Sequence, residues 1–129
     1  MKTQKNTLHI NSFDELSVGV DVEQISRFKK YASNIEEAKK LKVFSDNELN
    51  YSFSHSHPEE SLCVRFCAKE AVYKALSQAN LETLPAFSEI EILNKPSGVP
   101  YVNFLNKEFK NIQCKLSLSH SRIQPLQVF

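Results

Sequence analysis

Asp21, Glu23 and Glu70 are the residues whose type and placement could grip a divalent cation. Asp21 falls near the end of an apolar, β-branched run, LSVGVDV, from Leu16 to Val22, and Glu23 follows at a spacing of two. Both carboxylates face one side if the strand continues that far. Glu70 sits between Cys67–Ala68 and Ala71–Val72, in an apolar helical stretch where a carboxylate needs a partner. Two partners are open to it. Lys74 lies one turn on, in the favourable glutamate-before-lysine order. Alternatively, Glu70 and Asp21 share a magnesium ion, which takes few carboxylates and fills its shell with water and substrate phosphate oxygens.

The elements that must position these acids follow from periodicity. Leu16 to Val22 reads as a short buried strand delivering Asp21 at its end. From Glu23 the period changes: Ile25, Phe28 and Ala32 predict an amphipathic helix with Arg27, Lys29 and Lys30 on its other faces. Asn34 is placed to cap a second helical piece, and Ser45 with Glu48 has capping-box spacing for a third. The clearest helix runs from about Pro58 to Ser77, with Pro58 in its first turn and Glu59 and Glu60 at its positive dipole end. FSEIEIL, KPSG and VPYVNF read as strand, turn and strand; KLSLS alternates as another strand, and Leu126 to Phe129 as a last one. The fold class expected is α+β, an antiparallel sheet packed against one long helix. Residues 1–129 read as a single domain with a loosely held leader over 1–15.

Bulk composition excludes several functions. Lys and Arg total 16 against 15 Asp and Glu, a net charge of +1, which argues against a general nucleic-acid binder. No apolar run is long enough to cross a bilayer, so no membrane partner is expected. The opening MKTQKNTLHINSF lacks the apolar centre of a secretory signal, which points to a cytoplasmic protein. Three cysteines, an odd number, suit reduced thiols better than a disulfide framework. Gly19 and Gly98 are the sole glycines, too few for a glycine-rich phosphate loop. His55, His57, Cys63 and Cys67 invite a zinc reading, but cysteines packed as small hydrophobes in a helix are the stronger one. Cys67 or Cys114 with a histidine would form a nucleophilic pair without an acid to orient it.

Four blocks, VGVDVEQISRF, FSDNELNY, RFCAKEAVYKAL and LSLSHS, stand in the order and spacing seen in holo-acyl-carrier-protein synthases, the short type of 4'-phosphopantetheinyl transferase. The chain resembles that family from Val18 to Ser121, and the central block is the most specific. The resemblance implies the 4'-phosphopantetheinyl transferase-like fold. It also implies transfer of 4'-phosphopantetheine from coenzyme A to a serine of an apo acyl carrier protein, with release of 3',5'-ADP. Fatty acid biosynthesis is the pathway in which such enzymes typically serve.

Carried over residue by residue, Asp21 and Glu70 resemble the family's Mg2+ ligands, and Glu23 is a candidate third. Lys74 matches the lysine facing the coenzyme A phosphates. Arg65 and Phe66 match positions that touch the nucleotide, and His120 the histidine near the reacting groups. Arg27 falls where the family meets the acidic recognition helix of the carrier, with Lys29 and Lys30 extending the patch. Glu70, Glu23 or a water on the ion would take the serine proton, and Lys74 would stabilise or protonate the departing nucleotide. Family members of this length assemble as homotrimers with the active site between subunits. The chain departs from the family at Ser77, where glycine is common, and at Pro125, in the stretch of an interface strand. A non-catalytic homologue that binds carrier protein or coenzyme A, or a small adaptor with a structural Glu70–Lys74 pair, are the alternatives.

Overall fold

The computed structural model describes residues 16–20 and 22–120, with side chains over 24–116. The leader, Asp21, Pro125, the expected last strand, and the side chains of Glu23 and His120 lie outside the described residues.

Strand β1 (Leu16–Val20) precedes α1 (Val22–Ser26). The amphipathic run expected through Ala32 does not stay α-helical. Arg27 and Phe28 bond three residues back, to Gln24 and Ile25, and a 3-10 turn follows at Lys29–Tyr31. Then α2 (Ile35–Lys39) starts at Asn34, whose Oδ1 accepts from the Glu36 N–H at 2.9 Å. A full capping box opens α3 (Asp46–Phe53): Ser45 Oγ accepts from the Glu48 N–H, and Glu48 Oε1 accepts from the Ser45 N–H. Helix α4 spans Pro58–Ser77, as its pattern predicts, with Pro58 in the first turn. Past its end, Asn80 takes a positive φ of 61° in a stretch that holds no glycine, a conformation asparagine tolerates.

The KPSG turn joins β2 (Ile90–Asn94) to β3 (Pro100–Phe104) as an antiparallel pair. Gly98 makes the turn possible at φ 96°, and Lys95 and Val99 close it with a 2.9 Å bond. Residues 87–89 (FSE), expected to begin the strand, form a 3-10 turn instead, closed by Glu89 N–H to the Ala86 carbonyl. Strand β4 (Leu116–His120) pairs in parallel with β1, Val20 opposite His120. A parallel pair needs a long crossover, here the whole chain between the two strands.

The antiparallel pair packs against α4 as expected, and β1 packs against the same helix. Val64, Ala68, Val72 and Leu76 of α4 meet Ile90, Ile92, Phe104 and Phe109 in the larger core. A second cluster joins Leu62 to Ala38, Phe44 and Leu49. With 100° between successive residues, α4 buries two faces and leaves a narrow stripe, Glu70, Lys74 and Ser77, exposed.

Candidate active site

Helix α4 presents functional side chains on two neighbouring faces, and a cavity opens on each. On the first, Phe66, Cys67 and Glu70 join Gln24, Arg27 and Phe28 around a space of about 320 Å3. The Phe66 ring sits 5.7 Å from Phe28 and 5.8 Å from Phe87, so its wall is firmly packed. Arg27 and Lys30 also line it, giving the rim positive charge opposite the Glu70 carboxylate. Glu70 and Lys74 are both exposed, and their ion pair is not among those the described residues form. The first reading of Glu70's partner is therefore not realised.

Strand β1 contacts α4, and Val20, the residue before Asp21, pairs with His120 across the sheet. The fold thus brings the strand ends that flank Asp21 and carry His120 to the same edge. The α1 backbone that carries Glu23 follows directly and contacts α4.

The second cavity, about 390 Å3, lies between the α3–α4 connection and the β2–β3 turn. Its floor is Arg65, only 4% exposed. One guanidinium nitrogen donates to Ser61 Oγ at 2.9 Å, another to Asn94 Oδ1, and the plane lies 4.3 Å from the centre of the Tyr51 ring. Its Nε has no partner. Burial pulls the guanidinium below its usual range, with Tyr51 and Glu48 opposing that shift. A buried cation lining a cavity suits an anion that arrives from solvent. His55 and His57 stand at the mouth. Arg65 and Phe66, adjacent in sequence, therefore address different cavities.

The zinc reading does not assemble: His55 and His57 line one cavity, Cys63 and Cys67 the other. Cys114 makes a poor nucleophile, since burial pushes its thiol up to about 11.

The buried polar centre behind these faces was not legible in the residues alone. Lys69 and Glu48 are both wholly buried and paired at 2.7 Å. Beside them Glu91, 1% exposed, accepts from Ser45 Oγ (2.6 Å), Asn47 Nδ2 (3.1 Å) and Asn103 Nδ2 (2.9 Å). Burial raises the Glu48 carboxyl and lowers the Lys69 amine, and their mutual attraction opposes both shifts. The one available signal was a charged residue, Lys69, sharing the helix face of Arg65 and Val72.

Comparison with known proteins shows the family. Residues 17–126 match the family described as the 4'-phosphopantetheinyl transferase superfamily. The chain is 38% identical over 107 residues to a holo-(acyl-carrier-protein) synthase of Thermodesulfovibrio yellowstonii, covering 81% of this chain and 88% of the relative. It is 35% identical to the protein of the same name from Chloroherpeton thalassium, with 82% and 88% covered. For that of Chlamydia trachomatis serovar L2 the identity is 37%, with 81% and 89% covered.

Proposed function

The chain belongs to the 4'-phosphopantetheinyl transferase superfamily, and from that premise we propose that it is a holo-acyl-carrier-protein synthase. It moves 4'-phosphopantetheine from coenzyme A to a serine of an apo acyl carrier protein and releases 3',5'-ADP. The observation that carries this reading is the pairing of two cavities on one helix. Arg65 offers a buried cation for the phosphorylated nucleotide, and the adjoining groove offers Glu70 beneath a basic rim for the acidic carrier. Phe66 would touch the ligand from the groove side. The alternative of a non-catalytic binder gains no support from the relatives, which carry the synthase name.

The donor chemistry fits Mg2+: Glu70 supplies an exposed hard oxygen, and Asp21 and Glu23 are the other residues that would hold the ion. Bound there, the ion supplies neutralisation of the diphosphate charge. Glu70 or Glu23 accepts the proton of the carrier serine. The serine oxygen forms its bond to the phosphorus on the pantetheine side as the bond to the departing 3',5'-ADP breaks. Lys74, exposed one turn beyond Glu70, neutralises or protonates the leaving phosphate. His120, whose backbone pairs with Val20, would act near the reacting groups.

Arg27, with Lys29 and Lys30, steers the acidic carrier helix to the groove. All three are exposed, and Arg27 and Lys30 line the cavity that Glu70 also lines. A homotrimer is the working assembly we propose, in which a neighbouring subunit closes this open side. The cytoplasm, where coenzyme A and carrier proteins meet, is the compartment proposed.

The test is the mass of an apo acyl carrier protein after incubation with coenzyme A and Mg2+. A gain of one phosphopantetheine is expected, lost in Asp21→Ala and Glu70→Ala. No gain with wild type, or full activity in either folded variant, would overturn the reading.

A further inference from the structure

Two buried cations, one helical turn apart on α4, hold the two ends of β2. At the strand's entry, Lys69 Nζ donates to the carbonyl oxygens of Phe87 at 2.7 Å and Ile90 at 2.5 Å. At its exit, the Arg65 guanidinium donates to the side chain of Asn94. Glu48 joins the first anchor from α3: Oε1 lies 2.7 Å from Lys69 Nζ, and Oε2 accepts the Ile92 N–H at 2.7 Å. One ion pair therefore gathers a helix, a second helix and the middle of a strand.

Apolar packing alone does not explain why this centre is charged. Ile90 and Ile92 already bury completely against α4, and a hydrophobic pair of similar volume would stabilise the fold about as well. What such a pair could not make is directional bonds to three backbone groups of one segment. Those bonds set the position of β2 along α4. That position decides where Asn94 and the Gly98 turn meet Arg65, and Asn94 Nδ2 is itself bonded to the Gly98 carbonyl at 3.1 Å.

We propose that Glu48 and Lys69 are a positioning pair for the nucleotide cavity, acting through β2 on Asn94 and Arg65. The inference rests on reading the Arg65 cavity as the nucleotide site. Neither residue touches substrate. With the pair removed, β2 keeps its apolar packing but loses its fixed position on α4, and the guanidinium loses its orienting acceptor. Preorganisation of the anion site falls. Glu70 lies on the neighbouring face of α4, so the chemical step is spared.

The double variant Glu48→Gln/Lys69→Met removes both charges at nearly constant volume. Folding is checked by thermal unfolding, and initial rates are measured with coenzyme A and apo carrier varied separately. KM for coenzyme A should rise about tenfold, the equivalent of one charge-assisted hydrogen bond, with kcat held within about twofold. Lys69→Arg, which can still bond Glu48 and the carbonyls, should recover part of the loss. Arg65→Ala is measured alongside. If it raises KM for coenzyme A while the folded double variant does not, the positioning role is wrong and the nucleotide reading stands. If Arg65→Ala leaves KM unchanged, both readings fall. A loss in kcat equal to the rise in KM would mark the pair as scaffold only and overturn the proposal. Should the double variant not fold, the same split measured on Glu48→Gln decides.

Discussion

Replacing Lys69 by methionine should be among the most damaging single changes in this protein, and the damage should depend on pH. Lys69 Nζ lies 2.7 Å from Glu48 Oε1, and both side chains are 0% exposed. Methionine fills the space of the stem but leaves Glu48 with two backbone donors, Ser45 N–H and Ile92 N–H, and no cation. Removing one partner of a buried pair costs about 3–5 kcal/mol, because the remaining charge is uncompensated. Total stability for a domain is about 5–15 kcal/mol, so much of the margin goes. The melting temperature should drop by roughly 10–20 °C. Burial already holds the Glu48 carboxyl above its usual 4.5, with Lys69 opposing. Without Lys69 that rise must grow. A carboxyl raised in the folded state contributes stability at low pH that is lost as pH climbs through its folded value. The deficit of Lys69→Met should therefore be largest at neutral pH and shrink as pH falls toward 4.5. Urea denaturation of both proteins at several pH values measures this. A neutral-pH deficit below about 1 kcal/mol, or one that does not shrink on acidification, would show that the pair is not the ionised anchor described.

Ser45→Ala removes the cap on Glu48 N–H and the 2.6 Å bond to Glu91, and should cost about 2 kcal/mol in chemical denaturation. Arg27→Glu should slow carrier modification about tenfold at low ionic strength, and the gap to wild type should close as salt screens the exposed charge; a salt-independent gap would remove steering as its role. Cys114, its thiol pushed up to about 11 by burial, should resist iodoacetamide in the native protein until pH approaches that value, as followed by peptide mass. In the unfolded chain it should react from about pH 9. The stability linked to this thiol is present below its ordinary value of 9.0 and lost as pH rises to about 11.

Elements whose signals are local could be read from the residues. Ser45 and Glu48 form a capping box wherever a helix starts there, and Pro58 with Glu59 and Glu60 marks the start of α4 in any context. The strand read over Leu16 to Val22, which in the structure stops at Val20 before a helix starts at Val22, the KPSG turn and the four motif blocks were also visible, because strand alternation, turn chemistry and motif order are properties of consecutive residues. The shortened first helix was not. Its tightening to three-residue bonds at Arg27 and Phe28 brings Phe28 into the cluster with Phe44 and Phe66, a tertiary demand.

Lys69 and Glu70 mark the boundary between the two kinds of information. They are neighbours, both charged, in one apolar helix, and periodicity left Glu70 near the core boundary with Lys74 as one partner. Tertiary structure buries Lys69 instead, because its acceptors come from α3 and from the start of β2, twenty-one residues on in the case of Ile90. Likewise Arg65 and Phe66 were one motif in sequence and came to line two different cavities, separated by a single 100° step of the helix. The sequence by itself determined the family, the helix and the residue types available for catalysis. Which of those residues face each other was decided only when distant segments met, since burial and partnership depend on contacts that no local pattern contains.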